Sequence, residues 1–188
     1  MSGRAFVVAL LGAESTGKTT LAAEIGAALA ARGRRVAIVT EVLREFCDRT
    51  ARTPRRDEQA AIAALQSERI EAAAARNEIV VADTTALMIA VYSDFVFADA
   101  TLYASALAAQ RHCDLTLVTA LDLPWQADGL QREGEHVRAP VDALLRASLA
   151  KAGIAFTTIA GTGSGRQAAA LRAIEGALAA RRPSAARR

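Results

Sequence analysis

The chain has 188 residues, of which 52% are hydrophobic but only 4% aromatic, with a formal net charge of +3. That length suits one domain with a buried core, and the alanine-heavy apolar fraction points to a globular, soluble fold with Ala-rich helices. Composition argues against three classes. Cys47 and Cys113 stand far apart and His112 and His136 complete no cluster, so neither a disulfide framework nor a zinc site is expected. No apolar run reaches the length of a membrane span. No basic stripe interleaved with aromatics marks a nucleic-acid binder.

Met1-Ser2-Gly3-Arg4 leads straight into an apolar run, Phe6–Leu11, so no secretory leader is expected and the cytoplasm is the expected compartment. That run reads as a buried strand. Gly12-Ala13-Glu14-Ser15-Thr16-Gly17-Lys18-Thr19 follows and fits G-x-x-x-x-G-K-[ST], the phosphate-binding loop. From Thr20 to Ala30 a helix is predicted, with Leu21, Ile25, Ala28 and Leu29 on one face. Such a loop wraps a triphosphate in backbone N–H groups at a helix N-terminus, where the dipole favours anions. Gly12 and Gly17 permit backbone shapes that a side chain blocks. Lys18 is expected to reach the β- and γ-phosphates of ATP, and the Thr19 hydroxyl to ligate Mg²⁺.

Arg34–Thr40 reads as a second strand ending at Glu41, with a short helix from Val42 to Arg49 and a turn at Thr53-Pro54. A long helix is predicted over Arg56–Arg76. A third strand, Glu78–Ala82, ends at Asp83-Thr84-Thr85. Helices over Ala86–Tyr92 and Ala100–Arg111 flank an aromatic stretch, Tyr92–Phe97. Leu115–Leu121 is a fourth strand, and a polar segment with Asp122 follows. Pro140 opens a helix to about Ala152, and Ile154–Ile159 is a fifth strand. Gly161–Gly165 is a turn, Arg166–Arg181 the last helix. One domain is expected over residues 1–182, with 183–188 a basic, disordered tail.

Five short apolar strands alternating with helices predict an α/β three-layer sandwich, a five-stranded parallel sheet covered on both faces. The fold expected is the P-loop NTPase type of nucleoside and nucleotide kinases. Sites in such sheets gather at strand carboxyl ends, where Glu14–Thr19, Glu41, Asp83 and Asp122 all fall.

Two readings of each candidate side chain stay open. Asp83, after an apolar strand, is placed as a Walker B carboxylate for Mg²⁺ or as a cap on the next helix. Glu41 can orient an acceptor hydroxyl and take its proton, or pair with Arg44 in solvent. Spacing does not decide whether Asp83 or Glu41 is the base. Residues 123–139 read as a lid hinged at Gly129 and Gly134, whose Arg132 and Arg138 close on the transferring phosphate, or as a surface loop with arginines paired to Glu133 and Glu135. Trp125 can stack on a flat heterocycle or anchor the lid base. Tyr92 faces the correct end of the sheet for a substrate contact. The turn at Gly161–Gly165 can pass close to adenine.

The combination of residues 12–20, Glu41 with Arg44-Glu45, Ala82-Asp83-Thr84-Thr85, and Leu123-Pro124-Trp125 with Asp128-Gly129 resembles the ribosylnicotinamide kinase domain of the bacterial NadR-type NAD-salvage proteins, an AAA-labelled ATPase family of kinase-like fold. The resemblance runs from about Val7 to Gly161. It implies ATP- and Mg²⁺-dependent phosphorylation of the 5′-hydroxyl of nicotinamide riboside to nicotinamide mononucleotide. It carries Lys18 and Thr19 over as phosphate and Mg²⁺ residues and Asp83 as the Walker B acid. Glu41, Arg44, Trp125 and Asp128 become candidates for the riboside side. Val42 departs from the pattern, which has an aromatic there. Multifunctional members carry an adenylyltransferase domain, and sometimes a DNA-binding domain, before the kinase. This chain is therefore expected neither to complete NAD synthesis alone nor to act as a repressor. A kinase of another nucleoside or nucleotide, and a regulatory ATPase acting through a protein partner, are the alternatives.

Overall fold

The computed structural model describes residues 4–126 and 134–181. In chain order the elements are β1 (Phe6–Leu11), α1 (Lys18–Ala31), β2 (Val36–Val39), α2 (Val42–Thr50), α3 (Gln59–Ala74), β3 (Ile79–Asp83), α4 (Ala86–Phe97), α5 (Tyr103–Gln110), β4 (Leu115–Thr119), α6 (Arg138–Lys151), β5 (Thr157–Ile159) and α7 (Gly163–Arg181). The five strands form one sheet in the order β2-β3-β1-β4-β5, and every pairing is parallel. This is the α/β architecture expected from the alternation of strands and helices.

The central place of β1 follows from its side chains. All six of its residues are buried, and each fully buried Val or Leu contributes about 1.5–3 kcal/mol relative to exposure. Side chains alternate across a strand. Phe6, Val8 and Leu10 therefore pack with Leu21, Ile25 and Ile174 on one face. Ala9 and Leu11 pack on the other with Leu87, Leu145 and Leu149. A strand buried on both faces needs a continuous apolar run; the edge strand β2 is apolar too but only partly covered, with Ile38 42% exposed.

The chain leaves β1 toward β2 and later crosses back to β4 on the other side, so the carboxyl end of β1 is a topological switch point. Crevices open there in sheets of this kind.

Several boundaries differ from the sequence reading. The aromatic stretch Tyr92–Phe97 lies inside α4, which runs on until Ala98 takes a left-handed conformation at φ 51°. Half-buried Tyr92 and Phe95 pack against the core along this stretch of the helix. The long helix expected from Arg56 begins instead as a 3₁₀ turn at Arg56–Glu58 leading into α3. The strand β4 stops at Thr119, leaving Asp122 on a loop. The last helix takes in Gly163 and Gly165. The expected tail, 183–188, lies outside the described residues, as do 127–133 of the expected lid. No described helix is long and apolar enough to cross a membrane.

Candidate active site

The phosphate loop joins β1 to α1 at the switch point. Gly12 has φ 148°, and a Cβ there would sit 2.0 Å from Thr119 Oγ1 on β4. Only glycine satisfies both conditions. Gly17 has φ 73° and marks the start of α1 without any side-chain cap. No acidic residue occupies the first turn of α1, so the free N–H groups and the positive end of the dipole are left to an anion. The loop is braced from inside: Thr16 Oγ1 donates to the Ala13 carbonyl at 2.8 Å, and Thr119 Oγ1 donates to Thr16 Oγ1 at 2.7 Å. Lys18 Nζ donates to the Ala13 carbonyl at 2.8 Å, which curls the ammonium over the loop.

Asp83 ends β3 beside Leu10 of β1 and is 2% exposed. The cap of α4 is Thr85, whose hydroxyl accepts from Leu87 N; the capping reading of Asp83 is thereby replaced. Asp83 Oδ1 is buried and has no hydrogen-bond partner among the described residues. An orphaned carboxylate oxygen in a protein interior calls for a cation or water. Thr84, next in the chain, lines one depression beside the phosphate loop, and Thr19 and Thr20 line another along that loop. Hard oxygen ligands of this sort fit Mg²⁺ completed by nucleotide phosphates and water.

Thr84, next to Asp83, is β-branched yet sits at φ 80°. Such strain persists only where the surroundings over-determine it. Thr84 N donates to the Leu10 carbonyl at 3.1 Å, and the Thr84 carbonyl accepts from Gln66 Nε2 at 3.3 Å. Gln66 is fully buried on α3. The same amide donates to the Thr40 carbonyl at 3.3 Å and accepts from Val42 N at 2.8 Å. One side chain thus ties the loop bearing Glu41 to the loop bearing Asp83.

Glu41 stands at the start of α2, its Oε2 3.8 Å from Arg44 Nε. The pairing of Glu41 with Arg44 is therefore present. Next to these residues lie two depressions. One runs along the phosphate loop to Thr162, Gly163 and Arg166. The other runs between α2, α3 and α4, with Tyr92, Met88 and Phe97 on its wall. Ser15, Lys18, Glu41 and Arg44 line both. The two depressions therefore meet at Lys18, with the Glu41 carboxylate at their junction.

Trp125 is half-buried, and its Nε1 donates to Glu14 Oε1 at 3.2 Å. Gln126 N donates to Ser15 Oγ at 2.8 Å. The segment after β4 is thus fastened to the phosphate loop, as the anchor reading of Trp125 requires. Arg138 is 5% exposed at the start of α6, where Nη2 donates to the Leu123 carbonyl at 2.9 Å. Where cover of the transferring phosphate was expected, the structure places a brace for that segment. Arg132 and Asp128 lie outside the described residues.

Arg166 was missed. It is 4% exposed in the first turn of α7. Its Nη2 donates to the Thr16 carbonyl at 2.8 Å; Nη1 donates to the Gly161 carbonyl at 2.8 Å and pairs with Asp122 Oδ1 at 2.9 Å. Asp122 Oδ2 accepts from Gly161 N at 2.5 Å. Partial burial pushes the Asp122 carboxyl up, but the Gly161 N–H and the Arg166 guanidinium outweigh it and hold the group below its ordinary value. The signal available was a glycine-rich turn followed at once by an arginine; only the fold points that arginine at the phosphate loop. Elsewhere, Cys47 and Cys113 form no disulfide, and burial pushes the Cys113 thiol up to about 12, which keeps it unreactive at neutral pH.

Among solved structures, the chain superposes on the NadR protein in complex with NAD and AMP-PNP with a TM-score of 0.73 and 23% identity, over 93% of this chain and 50% of that one. It superposes on the NadR protein in complex with NR with a TM-score of 0.74 and 22% identity, over 92% of this chain and 50% of that one. The chain thus spans about half the length of these neighbours. A search of curated protein sequences gives no match. A family model described as an AAA domain matches residues 7–167, from β1 into the first turns of α7, and the chain belongs to that AAA domain family of P-loop fold.

Proposed function

We propose that the chain is a cytoplasmic, ATP-dependent kinase that phosphorylates the 5′-hydroxyl of nicotinamide riboside to give nicotinamide mononucleotide. The observation that carries this reading is the meeting of two depressions at Lys18, Glu41 and Arg44. A hydrolase needs only the phosphate side; a second depression opening onto the same lysine provides for an acceptor other than water. The likeness in fold to a protein solved with NR, and with AMP-PNP and NAD, supports the choice of acceptor.

In this reading the N-terminus of α1 and Lys18 hold the triphosphate and neutralise charge that builds on the γ-phosphoryl group. Thr19 and Asp83 hold Mg²⁺, which when bound supplies further neutralisation of the phosphates. Glu41 orients the 5′-hydroxyl and accepts its proton as the new O–P bond forms. The bond from the γ-phosphorus to the bridging oxygen breaks, and ADP leaves with that electron pair. Trp125 and Gln126 keep the segment after β4 against the loop, limiting access of water.

The test is coupled ADP release with nicotinamide riboside, with a panel of other nucleosides and nucleotides beside it. Stimulation by nicotinamide riboside well above the rate without acceptor is expected. No stimulation, with turnover of another acceptor, would reassign the substrate.

A further inference from the structure

The acceptor depression contains a buried amide oxygen that no described residue satisfies. Gln59, the first residue of α3, is 5% exposed and lines that depression. Its Oε1 is buried with no hydrogen-bond partner among the described residues. Buried amide oxygens are almost always paired, and an exception needs an explanation. The position of the side chain is not accidental. The residue before it, Glu58, is gripped by Arg52 through two bonds of 2.7 and 2.6 Å, and accepts from Arg55 N at 2.7 Å. The turn that presents Gln59 is therefore fixed before any ligand arrives.

The surroundings say what kind of group would satisfy it. The charged residues lining this depression are Glu14, Lys18, Glu41 and Arg44. Glu14 and Lys18 belong to the phosphate loop, and Lys18, Glu41 and Arg44 also line the phosphate side. Away from that junction the wall is Met88, Tyr92, Val96 and Phe97, with no formal charge. Aromatic faces and a thioether suit a flat, electron-poor ring. Such a wall offers no cation to a buried carboxylate, which would be costly there.

We propose that Gln59 is a specificity-determining residue that reads the carboxamide of the acceptor's ring, so that the site prefers the carboxamide riboside to its carboxylate analogue. An amide facing a carboxamide accepts one N–H and donates another, whereas a carboxylate has no proton to give to Oε1. This rests on the reading of the acceptor as nicotinamide riboside and names the contact that selects it.

The experiment compares wild type, Gln59→Leu and Gln59→Glu with nicotinamide riboside and nicotinic acid riboside, recording kcat and KM for each riboside and KM for ATP. Wild type should favour nicotinamide riboside. Gln59→Leu should lower kcat/KM for nicotinamide riboside about tenfold, almost entirely through KM, the size expected for one neutral hydrogen bond in a buried site. Its kcat and its KM for ATP should hold, whereas a partly unfolded preparation would lose kcat with both KM values unchanged. Gln59→Glu keeps an acceptor oxygen for the carboxamide N–H, so it should retain more nicotinamide riboside activity than Gln59→Leu while excluding the carboxylate analogue more strongly. If wild type turns over nicotinamide riboside and Gln59→Leu does so with the same KM and the same preference, this inference fails and the function stands. If wild type turns over neither riboside, the proposed function fails and the inference with it.

Discussion

In the proposed reading, the donor and acceptor sides of the site are built in opposite ways. The donor side is one unbroken stretch, residues 12–20, in which backbone N–H groups do the binding and bonds of three to five residues' reach, Thr16 and Lys18 to Ala13, do the bracing. The acceptor side draws Glu41 and Arg44 from α2, Gln59 from α3 and Tyr92 from α4, and its loops are joined by Gln66 across 24 and 18 residues. The difference has a chemical reason. Every triphosphate presents the same oxygens, so a helix terminus and a glycine loop suffice. An acceptor is recognised by its particular shape and polar groups, and these need side chains from several directions.

If that contrast is correct, damage to the donor side should slow chemistry, and damage to the acceptor side should weaken substrate binding. The largest effect is expected from Lys18→Met, a fall in kcat of about 10³-fold from loss of a charge aimed at the transferring group. Thermal stability should be nearly unchanged; a similar fall confined to KM would break the contrast. Next is Gln66→Leu, which strands Val42 N–H and the Thr40 and Thr84 carbonyls. Denaturant unfolding should register a loss of about 2–3 kcal/mol. The acceptor KM should rise several-fold, as Glu41 and Thr84 lose their common brace, with the KM for ATP moving less. Equal changes in both constants would mean that Gln66 serves the donor side as much as the acceptor side.

Smaller effects sharpen the donor side. Asp122 fastens the Gly161 turn and Arg166 to each other beneath the phosphate loop. Its carboxyl is held below the ordinary value of 3.8 in the folded protein. The stabilisation is therefore present above the unfolded-state value and disappears as pH falls through the lowered folded-state value. Wild type should melt above Asp122→Asn at about pH 6, and the difference should close as the pH drops below 3.8. A gap that persists in acid would assign the effect to shape, not charge. The smallest change is expected from Trp125→Phe, which removes only the bond to Glu14. A few-fold rise in the KM for ATP measures how firmly the segment after β4 is held against the loop.

How far these features can be read without coordinates varies with their reach along the chain. The order of strands and helices follows from short apolar runs and turn residues, and β1 through α1 matches the expectation almost residue for residue. Asp83 is legible as an acid ending an apolar strand, but its release from helix capping depends on Thr85 taking that role. The break expected near Tyr92 is absent, and Tyr92 and Phe95 pack against the core from within one helix. Gln59 and Gln66 look like any two glutamines of an amphipathic helix; their meaning arises only where α3 meets the strand ends.

By itself the sequence determined the phosphate loop and the succession of parallel strands, because both depend on neighbours within a few residues and on the side-chain period of two in a strand. Tertiary structure alone decided that Arg166, 150 residues along the chain, grips the Thr16 carbonyl. It also decided that Trp125 fastens to Glu14 across 111 residues, and that one buried amide spans the two acidic loops. Such contacts are set by how the helices cross the sheet, and no spacing in the chain records that crossing.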